Sequence, residues 1–473
     1  MVGLWRRSIR LSTISRCAII IVIRFLTNVS KGTRPLLAFF NEVMEMSKKV
    51  LEISGVSVEQ LANACGTPLY VYDENRITQK MSQFHELFQS EDFETEVLYA
   101  SKAFSCKAIV QMAAVHGLCL DVVSGGELYT AMQAGFPMEK IYFHGNNKTW
   151  DELIMALEAG IGCIVVDNAM ECELLVKAAQ RVGTTVRTLI RVNPGVEAHT
   201  HKYIVTAHLD SKFGISISRM EDIRDMIQTL TSIPNITFEG FHSHIGSQIF
   251  DKDAYVAEIQ TLMKFVDDMQ KAYGIETTAL NLGGGFAAYY TSEDHPIPLQ
   301  EVCQTILDTC KWERDRYQLP LKKLMIEPGR SIVAEAGSTL YRIGYQKQTE
   351  NKKYIFVDGG MSDNIRPALY QAAYACDIAN RMDEKKSETV TVAGKCCESG
   401  DILVENVQLP HAQTNDLLIL YTTGAYGYSM ASNYNRLGRP AVVFVKDGKV
   451  RFVVKRETYE DMCKLECDEE IKV

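Results

Sequence analysis

Between residues 97 and 327, short apolar runs alternate with stretches whose apolar positions recur at helical spacing, and the alternation repeats eight times. The runs are Leu98–Ala100, Leu118–Leu120, Ile141–Phe143, Cys163–Val166, Thr188–Ile190, Ile236–Phe241, Ala279–Leu282 and Leu324–Ile326. Between them, Trp150 to Gly160 places Leu153, Ile154 and Leu157 on one stripe before a closing glycine. Asn168 to Gly183 does the same with Leu174, Leu175 and Ala178, and Ala254 to Tyr273 with Val256, Ile259, Leu262, Met263 and Val266. Such β-α alternation gives right-handed crossovers and a parallel sheet. Eight units in about 250 residues is the usual size of a closed (β/α)8 TIM-type barrel.

After about residue 337 the pattern changes. Lys353–Val357, Glu388–Val392, Leu417–Tyr421 and Ala441–Val445 are short and β-rich, with few helical stretches between them. Residues 442–454 read as a hairpin: two alternating arms flank Asp447-Gly448, a pair suited to a two-residue turn. A second, antiparallel β-domain is therefore expected, and Leu69-Tyr70-Val71-Tyr72 is expected to add a strand to it. The resulting division is a barrel over 74–336, a β-domain from 46–73 and 337–473, and an ill-defined extension over 1–45.

Almost every run leads into a chemically capable residue: Lys102, Asp121, His144, Asp167, Arg191, His244, Gly283-Gly284-Gly285 and Glu327. In a parallel barrel all strand C-termini share one face, which carries the active site. The pattern thus predicts a fold and a site together.

Composition narrows the function. A formal net charge of -9 argues against a nucleic-acid partner, which would want a basic stripe. The 13 cysteines follow no metal-finger spacing and read as reduced thiols of a cytoplasmic protein. Residues 1–41 hold seven Arg or Lys and no Asp or Glu. The apolar stretch Cys17–Ile23 ends at Arg24, too short to span a bilayer, so no membrane partner is expected. The segment resembles a weak targeting sequence, and the favoured reading places the true start at Met46.

At the strand ends, Lys102 could form a Schiff base if burial lowered its pKa; a solvated loop lysine is the plainer reading. Gly283, Gly284 and Gly285 could bare backbone N–H groups to a phosphate, or simply make a tight turn. Glu327 could face a protonated ring nitrogen, and Arg330 a phosphate or carboxylate; an internal Glu327–Arg330 ion pair competes. His242 and His244 alternate on one strand, but no carboxylate follows at a ligand-like spacing, so no metal is expected. His244 suits stacking on a flat ring, and His242 reads as a core histidine. Ser247 offers a hydroxyl near that strand end. Arg366 and Tyr370, four apart, could share a helical face, and Tyr426 could reach a phosphate.

These motifs coincide with a family. YASKAF, LDVVSGGEL, FHGNNK, RVNPG, DSKFGI, HIGSQ, LGGGF, EPGR, VDGGM, RPALY, CESGD and GAYGYSMASNYN follow one another from about Val56 to the C-terminus. The chain resembles the pyridoxal-phosphate-dependent decarboxylases that join an alanine-racemase-like barrel to a β-domain. CESGD with RPALY separates it from the ornithine and arginine branches and points to the branch acting on meso-2,6-diaminopimelate. The resemblance implies decarboxylation of that substrate to L-lysine and CO2, the last step of lysine biosynthesis, through a pyridoxal 5'-phosphate Schiff base.

It also implies roles. Lys102 would carry the cofactor, His244 would stack on its ring and Glu327 would pair with the ring nitrogen. Ser247, Gly283, Gly284, Gly285, Gly329, Arg330 and Tyr426 would hold its phosphate. Arg330, Arg366, Tyr370 and Tyr426 would bind the distal end of the substrate, with Glu398 taking its ammonium. Cys397 would be the catalytic acid. Cys397 and Glu398 would cross from the partner of a homodimer. Ornithine or lysine would leave the two arginines unmatched, at a cost of order 2 to 5 kcal/mol. The chain departs from the family pattern in SKAF and at Ala207-His208, which puts loop geometry rather than chemistry in doubt.

Overall fold

The computed structural model describes residues 49–196 and 211–471. The first 45 residues, and the Ala207-His208 departure, lie outside the described residues.

Strand β1 (Leu69–Asp73) precedes eight barrel strands: β2 (Glu94–Ala100), β3 (Cys119–Val122), β4 (Ile141–Phe143), β5 (Cys163–Val166), β6 (Val186–Asn193), β7 (Ile236–His242), β8 (Ala279–Asn281) and β9 (Lys323–Ile326). All neighbours pair in parallel, and β9 closes on β2 with Lys323 opposite Glu94 and Ile326 opposite Val97. Both faces of each strand are covered, which is why the sequence shows unbroken apolar runs rather than alternation. Leu98, Cys119, Tyr142, Cys163, Val165, Leu189, Ala279 and Met325 point inward and form one buried cluster. Their neighbours Tyr99, Leu120, Ile164 and Val166 point outward into the larger core shared with the helices.

The helices begin and end where local chemistry dictates. Thr149 and Glu152 form a reciprocal capping box at the start of Trp150–Ala159, and Gly160 closes it in the left-handed conformation. Asn168 caps Ala169–Val182, and Asp251 caps the long helix Lys252–Tyr273.

The remaining strands are β10 (Gly337–Gln348), β11 (Lys353–Val357), β12 (Cys376–Ile378), β13 (Glu388–Ala393), β14 (Ile402–Leu409), β15 (Leu417–Leu420), β16 (Ala441–Lys446) and β17 (Lys449–Val454). They form a sheet in the order β14-β13-β11-β10-β1-β16-β17, with β15 against β10 and β12. The expected early strand is present: β1 lies between β10 and β16. The hairpin at 442–454 is also present, with Asp447 at φ 48° and Gly448 at φ 76° as the two turn residues require. Most pairings are antiparallel as expected, but β11–β13 and β1–β16 are parallel. Parallel neighbours need a long crossover, and in both cases the intervening chain supplies one.

Candidate active site

The C-terminal ends of the barrel strands open into a cavity of about 700 Å³. Lys102, Asp121, His144, Arg191, His242, His244 and Glu327 line it, so six of the eight strand ends meet there. A smaller recess shares Lys102, His244 and Glu327 with it and adds Ser247, Gly284, Gly285, Gly329, Arg330 and Tyr426. The two are lobes of one site.

Lys102 sits in a single helical turn, Ser101–Ala103, directly after β2. Protein surrounds it, yet water reaches the side chain through the cavity. Its pKa lies above the ordinary value, contrary to the sequence expectation. Burial pushes the ammonium down, but Asp121, Tyr426 and Glu327 more than offset it.

Glu327 does not pair with Arg330. Its Oε1 accepts from Asn281 Nδ2 at 2.7 Å and lies 3.0 Å from His144 Nε2, while Oε2 lies 3.3 Å from His242 Nε2. Burial alone would raise its pKa; the two imidazoles outweigh that and hold it well below the usual carboxylate range. Asp121, 3.8 Å from His144, is raised by burial. His144, His242 and Glu327 are the one set of potential metal ligands clustered among the described residues. Asn281 Nδ2 donates to the same carboxylate.

His244 Nδ1 accepts from Gly284 N at 3.2 Å, which fixes the proton on Nε2. Burial, Lys102 and Arg191 hold the ring neutral, with a pKa well below the ordinary histidine value. A neutral flat imidazole on the cavity wall is suited to stacking. The glycine run is needed for closeness: a Cβ on Gly284 would lie 2.4 Å from the Glu327 carbonyl oxygen.

In the recess, Arg330 donates to Ser247 Oγ from Nε at 3.1 Å and Nη2 at 2.9 Å, and to Tyr290 Oη from Nη1 at 2.7 Å. Tyr426 lies between two guanidinium groups, 4.9 Å from Arg330 and 5.4 Å from Arg366. Its backbone is left-handed, φ 62°, and its N–H donates to Ala103 O at 2.7 Å, beside Lys102. Arg366 also packs on Tyr370, 5.2 Å from the ring, and donates to Tyr374 Oη at 3.0 Å.

Sequence reasoning therefore located Lys102, His244, Ser247, Gly284, Gly285, Glu327, Gly329, Arg330 and Tyr426 around one cavity, while Gly283, Arg366 and Tyr370 line neither lobe. It missed the roles of His144, His242 and Asn281 on Glu327, and of Tyr290 and Tyr374 as hydroxyl partners of the arginines. His144 was visible as a strand-end residue, and His242 as the alternate of His244 but read as a core histidine; Asn281, Tyr290 and Tyr374 carried no signal at the sequence level. Cys397 and Glu398 are exposed and line neither lobe. The Cys397 N–H donates to Asn435 Oδ1 at 2.6 Å. The 12 cysteines among the described residues are free thiols.

A parallel barrel whose strand ends present a lysine, a donor-bound glutamate and a recess of glycines and an arginine fits a pyridoxal-phosphate enzyme. Residues 74–334 match the family "Pyridoxal-dependent decarboxylase, pyridoxal binding domain", and the chain belongs to that family. It is 51% identical to diaminopimelate decarboxylase of Bacillus subtilis (strain 168), over 88% of this chain and 95% of that one. The diaminopimelate decarboxylase of Synechocystis sp. (strain PCC 6803) is 45% identical, with 92% of each chain covered. A crystal structure of the M. jannaschii diaminopimelate decarboxylase with L-lysine superposes with a TM-score of 0.83 at 34% identity, covering 89% of this chain and 98% of that one. Among the described residues, no helix is long and apolar enough to cross a membrane.

Proposed function

We propose that this chain decarboxylates meso-2,6-diaminopimelate to L-lysine and CO2, the last step of lysine biosynthesis, with pyridoxal 5'-phosphate as cofactor. The observation that carries the reading is the pair of arginines sharing the Tyr426 ring beside Lys102. Two guanidiniums against one ring of the recess answer a substrate with a carboxylate at its far end as well as at the reacting carbon. The names of the similar proteins support the same substrate.

The residues fit the cofactor. Lys102 Nζ would attach it, and Ser247, Gly283, Gly284, Gly285, Gly329, Arg330 and the Tyr426 hydroxyl would hold its phosphate. His244 would lie flat on its ring, and Glu327 would face its ring nitrogen. When bound, pyridoxal phosphate supplies an electron sink for the pair left behind as CO2 departs. The protein supplies position and protons. Lys102 Nζ, when not holding the cofactor, would be placed to move protons beside the reacting carbon. Arg330, Arg366, Tyr370 and Tyr426 would bind the distal carboxylate, and Glu398 the distal ammonium.

Cys397 and Glu398 would act in the neighbouring subunit of a homodimer, with the Cys397 thiol as the acid that protonates the product. Their exposure on a Gly-containing loop away from their own cavity supports this. We assign 74–336 as the cofactor-binding barrel and 46–73 with 337–473 as the β-domain, in a cytoplasmic enzyme that uses neither nucleic acid nor metal.

CO2 release from protein loaded with pyridoxal phosphate tests the reading, with meso-diaminopimelate, ornithine, arginine and lysine as parallel substrates. Release from diaminopimelate alone is expected. Release only from ornithine or arginine would overturn the substrate while leaving the cofactor in place.

A further inference from the structure

Glu327 can meet a ring nitrogen in two ways, and the difference decides how good an electron sink the site makes. One proton is shared between the carboxyl group and the nitrogen. On the nitrogen, the ring is cationic and draws electrons strongly; on the carboxyl, the ring is neutral and draws them weakly. Which partner keeps the proton depends on how basic the carboxylate is, and that is set by what else donates to it.

In this chain both Glu327 oxygens already face N–H groups. Asn281 Nδ2 donates to Oε1 at 2.7 Å. The amide cannot turn over, because its Oδ1 accepts from Gly283 N at 2.9 Å. His144 Nε2 stands 3.0 Å from the same oxygen without a hydrogen bond to it, and His242 Nε2 shares one with Oε2 at 3.3 Å. The two imidazoles brace each other edge-to-face, with ring centres 4.8 Å apart. His242 Nδ1 is buried with no partner, as expected for a bare lone pair when the proton sits on Nε2 and points at Glu327. The other titratable groups around this cluster are Asp121, Lys102, Arg191, Glu127 and Glu258. The Glu327 backbone is tied as well, its N–H donating to Gly283 O at 2.7 Å.

We propose that His144, His242 and Asn281 are positioning residues that clamp Glu327 as an unprotonated acceptor and so keep the shared proton on the ring nitrogen of the cofactor. The inference rests on the cofactor reading above. None of the three needs to touch the substrate: they act through Glu327, by making its carboxylate a poor base. The clamp joins three strands, since His144 follows β4, His242 ends β7 and Asn281 ends β8, while Glu327 follows β9.

The test uses the full chain loaded with pyridoxal phosphate carrying 15N in its ring, read by solid-state NMR. In the unmodified protein the nitrogen should resonate as protonated pyridine. In H144F/H242F, which keeps an aromatic ring at each position and removes both imidazoles, the resonance should move toward the unprotonated position. In H242Q, whose amide nitrogen replaces Nε2, it should stay. The same double variant should lose about tenfold or more in kcat, with KM for diaminopimelate within about twofold, because substrate contacts are untouched. Should the double variant not fold, H144F and H242F singly carry the same readout with partial shifts. An unmoved resonance in the phenylalanine variants, or an unprotonated nitrogen in the unmodified protein, overturns the clamp. Failure of the unmodified protein to take up the cofactor or to release CO2 would instead overturn the functional reading.

Discussion

Glu258 is fully buried on the helix Lys252–Tyr273, and its one hydrogen-bond partner among the described residues is the Ser243 hydroxyl. Its Oε2 has none. Burial, with Glu327 adding to it, pushes its pKa up to about 8 despite that bond. The folded protein therefore holds a proton that the unfolded chain releases near the ordinary value of 4.5. Stability must fall as pH rises from about 4.5 to about 8 and then level off. Glu258→Gln should flatten that slope and exceed the unmodified protein by a few kcal/mol at pH 9, of order 1.4 kcal/mol for each tenfold change in proton affinity. Urea unfolding at several pH values would show it; an unchanged slope would refute the assignment. Lys102→Ala should abolish both the cofactor's Schiff-base absorbance and CO2 release, whereas retained absorbance would place the attachment elsewhere. At this scale the sequence showed which strand ends carry chemistry, since each lies where an apolar run stops. It did not show that the Lys102 pKa is raised. That direction is a sum over Asp121, Tyr426 and Glu327, charges far apart in the chain and brought together only when the barrel closes.

Individual loops are fixed by buried polar ties. Lys148, after β4, donates to Gly145 O at 2.8 Å, Val165 O at 2.7 Å and Glu171 Oε1 at 2.6 Å, all out of water. This joins the β4 loop that carries His144 to β5 and to the helix Ala169–Val182. Lys148→Met should cost about 3 to 5 kcal/mol, because it strands the Glu171 carboxylate. Lys148→Met with Glu171→Leu should recover part of it; equal losses in the single and double variants would show that packing, not the ion pair, holds the loop. Gly284→Ala should leave the fold intact and weaken cofactor binding by about tenfold, ~1.4 kcal/mol, by pushing the glycine run off the Glu327 carbonyl. An absorbance titration with pyridoxal phosphate reads this directly, and undiminished affinity would mean the loop can shift freely. The elements themselves were legible, because apolar runs, capping residues and closing glycines are local. The parallel pairings of β1 with β16 and β11 with β13 were not: which strands become neighbours depends on where distant segments return.

For the molecule as a whole, the proposed sharing of an active site between subunits makes a quantitative prediction. Lys102→Ala and Cys397→Ala subunits should each be inactive alone. Mixed and allowed to exchange in equal amounts, they should recover about a quarter of the unmodified activity, because half the dimers are mixed and each then has one complete site. No recovery, with exchange demonstrated by mass, would place Cys397 in its own subunit's site. Nothing in a single chain's pattern marks such sharing; the exposed CESGD loop is its one trace. The position of β1 has a further consequence, for the order in which the chain is made. Leu69–Asp73 sits between β10 and β16, the latter starting at Ala441, 372 residues after Leu69 (441 − 69). At translation rates of about 5 to 20 residues per second, that strand waits roughly 20 to 75 s at the ribosome before both its edges are covered. The barrel, whose strands are contiguous, is complete well before then. A nascent chain that has passed Glu327 but not Val445 thus displays a folded barrel and a bare apolar strand, and that interval is when it most needs a chaperone.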